Sequence, residues 1–441
     1  MAETVEVTEK PTKGAGGISA LLKRLGPGLI TGASDDDPSG IATYSQAGAQ
    51  FGYGLLWTML FSLPLMSAIQ QVSARIGRIT GRGIAGNIRQ HYSNWLLYPI
   101  VFLLAVTNTI NLGADIGAMG DATAGLLGGR IPAIIYCIAF ALLCVCLETF
   151  SCYSDYSRIL KWLTLALLSY VATVFMVHVP WLHALHEVVV PSFQRNGDYW
   201  ATFIGVLGTT ISPYLFFWQA SMECEEIRAA PEQEALRRQP SEAPEQFKRI
   251  RFDTWIGMTI SNLVAFSIIL AAAVTLNAHG ITDIQTSTQA AEALRPLAGR
   301  FTFTLFTLGI LGTGLLAVPV LAGSAAYAVG EAMKWPTGLD RKPLAAKGFY
   351  TVIAVATLLG LMMNFPGMQR VTHLTPIKAL FWSAVLNGIA AVPVMVVVML
   401  MHQNPKVMGQ FAHMSKPLKA MGWLATAVMA AAAVGMFVTW K

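Results

Sequence analysis

Three consecutive carboxylates, Asp35, Asp36 and Asp37, followed at once by Pro38, Ser39 and Gly40, stand in the middle of an otherwise apolar stretch, GPGLITGASDDDPSGIATYSQAGAQFGYG. Carboxylates so close together repel one another. Away from bulk water each must be protonated, hydrated or matched by positive charge. Pro38 removes a backbone donor and pushes Asp37 out of the helical region, while Ser39 and Gly40 loosen the turn that follows. A helix running into this stretch is therefore expected to unwind. Its freed carbonyl oxygens then point toward the same place as the Asp37 carboxylate, which is how discontinuous helices in transporters build cation sites.

The rest of the chain sets the depth of this cluster. Of 441 residues, 54% are hydrophobic and only 12% charged, and the mean hydropathy is +0.53, outside the range of soluble globular proteins. Apolar stretches long enough to cross a bilayer recur along the chain. The expected spans are 19–51, 54–77, 95–120, 131–148, 158–178, 199–222, 252–277, 301–331, 346–363, 375–401 and 418–440, eleven helices of an all-α polytopic membrane protein. An acidic run in a loop after a short helix fails on length. Leu25 to Ser34 covers half a membrane, and no second apolar helix fits between Asp37 and the Gly52-Tyr53-Gly54 turn. The aspartates then lie near the bilayer midplane. No Lys or Arg falls in the middle of any expected span, so no internal ion pair offsets them. Protonation, a water-filled vestibule or a bound cation remains, and the last two together describe a cation transporter.

Placing alternate loops in the cytoplasm from the N-terminus onward puts 23 of the 30 Lys and Arg inside, as the positive-inside rule requires. The N-terminus is thus expected in the cytoplasm and the C-terminus outside a cell (inner) membrane. The net charge of +6 is read as a topology signal, with no nucleic-acid partner, because the basic residues are spread over six loops. Residues 1–18 read as a polar tail without a signal-peptide core. Cys137, Cys144, Cys146, Cys152 and Cys224 lie in or beside apolar segments, without the spacing of a zinc site or a disulfide framework.

The sixth span repeats the device of the first with opposite topology. It reads GVLGTTISPYLFFWQASMECEE, and Gly205, Gly208 and Pro213 are expected to interrupt it near its middle. Two helices broken at mid-depth, first and sixth of ten, imply an inverted repeat of five plus five helices with the site between them. The expected units are a first repeat over 19–178, a second over 179–401 with a cytoplasmic linker at 223–251, and an eleventh helix in 402–441.

DPSG at Asp37 to Gly40 resembles the Asp-Pro-Gly-Asn signature of the NRAMP metal transporters, and GTTISPYLFF at Gly208 to Phe217 resembles their sixth-helix Ala-x-x-Met-Pro-His segment. ASDDDPSGIATYSQAGAQFGYG and TTISPYLFFWQAS are more similar still to the bacterial NRAMP-related magnesium transporters. The resemblance implies a LeuT-type fold and divalent-cation transport, with Mg²⁺ or Mn²⁺ as substrate and no resident cofactor. Its departures bear on selectivity. The signature Asn falls at Gly40, the sulfur ligand at Ser212, the Ala before it at Thr209, the His after the Pro at Tyr214 and a further His at Gln219. Losing a soft thioether removes discrimination against alkaline earths. The implied ligands are then all oxygen: Asp37, Asp36, backbone carbonyls and the Thr209 and Ser212 hydroxyls, with Gly40 making room for a partly hydrated ion. Ser34 and Asp35 are candidates for its water shell. Back-bonding to their own helix is an equal alternative for Thr209 and Ser212.

His91, His178, His183, His186, His279, His373, His402 and His413 lie at helix ends or in loops, away from the midplane. Asp115 resembles the third-helix Asp of the family, while the Glu of that pattern corresponds to Ala118. Asp115 is read either as a vestibule acid or as an acceptor for neighbours such as Asn111. Transport without stoichiometric proton movement is the resulting expectation. The rival readings are a proton-coupled Mn²⁺ or Fe²⁺ transporter, which the missing Met and His oppose, and a sodium-coupled amino-acid carrier, whose substrate carboxylate three aspartates would repel. No nucleophile–base pair or His-rich cluster supports an enzyme. The bilayer and the metal ion are the expected partners, and a monomer is compatible with all of this.

Overall fold

A computed structural model describes residues 31–32, 34–150, 167–230, 232–372 and 374–440. The inner part of the expected first span, Cys152 and much of the expected fifth span lie outside the described residues. So does His373.

Every described element is helical. The long helices are α1 (Pro38–Phe51), α2 (Trp57–Thr80), α3 (Asn94–Leu126), α4 (Ala133–Phe150), α5 (Leu168–Met176), α6 (Gly197–Thr210), α7 (Pro213–Ala229), α8 (Ala243–Thr275), α9 (Thr302–Met333), α10 (Lys347–Met362), α11 (Pro376–His402) and α12 (Lys416–Thr439). Seven segments among the described residues are long and apolar enough to cross a membrane. Segments 223–229 and 243–251 of the linker are helical, the ends of α7 and α8, and the 230–242 link between them ends in the 3-10 turn Pro240–Glu242.

Both expected breaks are present, and both use one device. Helical residues end at Asp35, Asp36 bends, and Asp37 is extended (φ −71°, ψ 170°) before Pro38 opens α1. In the sixth span α6 ends at Thr210, Ser212 is extended (φ −80°, ψ 132°), and Pro213 opens α7. In each case the ring of proline forces its predecessor out of the helical region and then fits the first helical position, where a missing N–H costs nothing. The two N-caps differ. Asp37 accepts from the Gly40 amide, whereas Ser212 makes no side-chain cap bond.

Gly205 and Gly208 do not interrupt α6; they let it be approached. A Cβ at Gly208 would lie 2.1 Å from the Ala384 carbonyl oxygen and 2.6 Å from the Gly388 nitrogen, both backbone of α11. Close approach through small residues is how helices associate where lipid supplies no hydrophobic drive. Gly208→Ala is therefore expected to force α6 and α11 apart, cutting yield and melting temperature in detergent. Unchanged thermal stability would rule this contact out.

α1, the second half of the first span, is wrapped by α8, α11 and α6. At one end of the bundle the 230–242 link is laid along the end of α2: the Leu236 and Arg237 amides donate to the Arg78 and Ile79 carbonyls, both at 3.1 Å. The Arg237 guanidinium also donates to the Val407 carbonyl at 3.0 Å.

Candidate metal site

The two breaks meet, and Asp37 stands between them. Its Oδ1 accepts from the Ser39 hydroxyl at 2.5 Å and the Gly40 amide at 2.8 Å. Its Oδ2 is held more loosely, by Asn111 Nδ2 at 3.2 Å and the Tyr214 hydroxyl at 3.3 Å. One oxygen thus caps α1 while the other faces α3 and α7. Two helix N-termini, those of α1 and α7, converge here with their positive dipole ends. An unaided cation would be repelled by them, and Asp37 supplies the opposing charge.

The neighbouring aspartates turn elsewhere. Asp35 Oδ2 and Asp36 Oδ1 accept from the one Ser261 hydroxyl of α8, at 2.6 and 3.1 Å, and Asp35 Oδ1 has no partner among the described residues. All three carboxylates are buried, yet among the described residues no group of three acidic, His or Cys side chains converges as a ready-made metal cage. What touches Asp37 is two hydroxyls and two N–H groups, all donating to it.

The remaining sequence candidates are arranged as follows. Thr209 donates to the Tyr44 hydroxyl at 2.7 Å and back to the Val206 carbonyl at 3.0 Å. Ser212 donates back to the Gly208 and Thr209 carbonyls at 2.7 and 2.9 Å, so the back-bonding alternative describes its proton, and its lone pairs remain. Gly40 is tightly enclosed: a Cβ there would stand 3.2 Å from the Tyr44 ring and 3.7 Å from Asp37 Oδ1. Tyr214 donates to the Ser34 carbonyl at 3.1 Å as well as to Asp37, tying the two breaks together. Gln219 accepts from Thr31 at 2.5 Å. Asp115 is wholly buried on α3, with neither oxygen in a hydrogen bond among the described residues, and Asn111 donates to Asp37 instead of to it.

Three contributors were missed in the sequence. Asn111, named there only as a neighbour of Asp115, binds Asp37 and accepts from Ser383 of α11 at 2.7 Å. Tyr44 and Ser261 carry no motif; only their helical position, about two turns beyond the Asp37 break and on the facing span, could have marked them. Asn108, by contrast, ties α3 to α9, donating to the Leu321 carbonyl and to Ser324. A further buried carboxyl, Glu148 of α4, has no partner among the described residues.

Beyond the site, a cavity of about 320 Å³ opens toward the 278–300 loop, lined by Ala42 of α1, Asp198 and Thr202 of α6, Asp283, and Lys378 and Trp382 of α11. At a rise of about 1.5 Å per residue, Ala42 lies roughly 7 Å along the helix from Asp37. The opposite end is closed by charge. Arg249 of α8 binds Glu223 at 2.5 Å and Glu226 at 3.1 Å, both on α7, and Arg78 donates to Gln233 of the link at 2.6 Å.

Two interrupted helices with a carboxylate between them, open on one side and latched on the other, define a helical carrier. The chain matches the family model described as natural resistance-associated macrophage protein-like over residues 28–439, and it belongs to that family, Nramp. Its relatives include the divalent metal cation transporter MntH of Klebsiella pneumoniae subsp. pneumoniae, 26% identical over 419 residues and covering 92% of each chain. MntH of Klebsiella pneumoniae strain 342 is 25% identical over the same share. Among solved structures, a mutant of the Eremococcus coleocola manganese transporter superposes with a TM-score of 0.72 at 17% identity, over 98% of this chain and 89% of that one. MhsT in complex with L-phenylalanine superposes with a TM-score of 0.63 at 10% identity, over 94% and 98%. At such identities these likenesses bear on fold, and the fold is of the LeuT type.

Proposed function

We propose that the chain carries divalent metal cations across a membrane by alternating access, binding them at Asp37, with Mg²⁺ preferred and Mn²⁺ also taken. The observation that carries this reading is the Asp37 carboxylate, buried between two helix breaks with only oxygen and amide groups around it. Asp36, Thr209 and Ser212 complete the proposed ligand set, and Ser34, Asp35, Asp115, Tyr214 and Gln219 belong to its second layer. Support for Mg²⁺ comes from the donor chemistry: no sulfur or imidazole is bonded to Asp37 among the described residues, and its partners are hydroxyl and amide groups. The Arg249 latch is taken as the cytoplasmic gate and the cavity as the outer vestibule, in line with the distribution of Lys and Arg.

Proton coupling is not part of the proposal, because no His contacts Asp37 among the described residues. The test is uptake into proteoliposomes containing a pH-sensitive dye, with Mg²⁺, Mn²⁺ and Ca²⁺ supplied in turn. Divalent uptake without matching acidification is expected. Acidification that tracks metal uptake and vanishes in Asp115→Asn or Glu148→Gln would establish the proton-coupled alternative.

Selectivity has its own test. Ser212→Met places a thioether at the α7 N-cap and is expected to move the ratio of Mn²⁺ or Cd²⁺ to Mg²⁺ uptake upward about tenfold, which is about 1.4 kcal/mol of differential binding. An unchanged ratio would mean that position 212 does not face the ion.

A further inference from the structure

One helical turn from the metal site, on the side of the Arg249 latch, two buried amides have unmet hydrogen-bonding capacity. Their placement follows from the way α3 and α11 run, which is antiparallel. Late α3 and early α11 both meet the 283–287 segment: Ser287 donates to Asp121 at 2.7 Å, and Lys378 pairs with Asp283. At the other end Asn404, just past α11, donates at 3.2 Å to the hydroxyl of Tyr92, just before α3. The 2.7 Å bond between Ser383 and Asn111, which in turn binds Asp37, is thus one rung of a ladder. One turn further from the 283–287 end, the same faces carry Asn108 on α3 and Asn387 on α11, about 4.5 and 6 Å along their helices.

Both residues are 1% exposed. Asn108 commits its amide nitrogen to α9, donating to the Leu321 carbonyl at 3.0 Å and the Ser324 hydroxyl at 2.7 Å, which fixes the orientation of the group. Its Oδ1 is left with no partner among the described residues. Asn387 has none there for its oxygen or its nitrogen. The two amides share a level and make no bond to each other. A buried amide oxygen held in this way can accept from a water or ligate a cation. α7 fixes the depth. Its Tyr214 touches Asp37 and its Glu223 belongs to the latch. Between them the Trp218 ring packs on Gly323, where a Cβ would stand 2.8 Å from it, beside the Ser324 that holds Asn108.

We propose that Asn108 and Asn387 form a second station for the transported divalent cation, where amide oxygens hold the ion and its remaining waters after it leaves Asp37 and before the latch opens. Amide oxygens are hard ligands without charge. They accept a partly hydrated divalent ion and hold it less firmly than a carboxylate does, as conduction requires of a site that must also release. The inference rests on the reading of the chain as a divalent-cation transporter and adds a step after Asp37.

Mn²⁺ is the probe, with binding to the full-length protein in nanodiscs followed by calorimetry and uptake measured in proteoliposomes. Asn387→Asp keeps the shape and adds a charge, and is expected to tighten Mn²⁺ binding about tenfold and to slow the maximal rate of uptake about tenfold, because the ion lingers. Added to Asp37→Asn, it should restore saturable Mn²⁺ binding. Asn387→Leu should lower the maximal rate severalfold with melting temperature and Mn²⁺ affinity unchanged, and Asn387→Gln, which keeps the amide, should recover most of that rate. A residue that only packs helices would instead lower the melting temperature in Asn387→Leu and leave the rate per folded protein alone. Unchanged affinity and rate in Asn387→Asp, or no binding by the Asp37→Asn, Asn387→Asp protein, would overturn the proposal. Should the aspartate variants fail to fold, equal rates in Asn387→Leu and Asn387→Gln sink the station. A wild-type protein with no divalent uptake would refute the transport reading, while Mn²⁺ binding by the double variant would still decide the station.

Discussion

Asp37→Asn is expected to lower divalent-cation uptake in proteoliposomes at least about a hundredfold while leaving the protein folded. The two oxygens of Asp37 have separate duties. Oδ1 caps α1 through the Ser39 hydroxyl and the Gly40 amide, and Asn is as good an N-cap as Asp. The substitution therefore preserves the break and removes only the charge. A unit charge near a surface-like dielectric attracts another at 4 Å by about 4 kcal/mol, and a divalent ion by roughly twice that. Even the lower figure exceeds the roughly 2.8 kcal/mol that a hundredfold change requires. Asp37→Ala would be the poorer test, since it also forfeits the cap, worth about 1 kcal/mol. Wild-type uptake by a well-reconstituted Asp37→Asn protein would end the assignment of Asp37 as the principal ligand.

Arg249→Gln should destabilise the protein by about 3–5 kcal/mol, because it strands a buried carboxylate. Glu223 has no exposed side-chain surface, its Oε2 is bound by Arg249 at 2.5 Å, and its Oε1 has no partner among the described residues. The companion Glu226 is half-exposed and can turn to water. Removing the arginine takes away the hydrogen-bonded counter-ion of Glu223, whose buried carboxyl must then take up a proton or stay uncompensated. Removing both charges in Arg249→Gln with Glu223→Gln should recover most of the loss, because a neutral pair has little to desolvate. Thermal melts of the three variants in detergent decide the matter, and a single mutant as stable as wild type would show that the latch contributes nothing to the closed end.

Much of this was legible in the sequence, for reasons that differ by residue. Proline has one effect on its predecessor whatever the tertiary context, so the breaks at Asp37 and Ser212 could be read from Pro38 and Pro213 alone. Gly205 and Gly208 carried no such information. A helical glycine serves a bend or a close neighbour equally well, and only the Ala384 carbonyl distinguishes the two. The three aspartates share an identity and a location, but one residue of chain rotates a side chain far around the axis. That is why Asp35 and Asp36 reach Ser261 while Asp37 reaches Asn111 and Tyr214. Tyr44, Asn111 and Ser261 became visible only when spans remote in sequence were brought together, since each is an ordinary polar residue in an apolar helix.

The link of residues 230–242 is bound by its backbone to the end of α2 and by Arg237 to the segment before α12. A slack link would let α7 and α8 move independently of the end of α2. A strap stitched down at both edges instead makes that corner of the molecule a fulcrum. Spin labels placed across it, on exposed positions near Arg238 and Lys406, should keep one distance through the whole transport cycle, while a pair spanning the cavity from Asp198 to Asp283 should move between two.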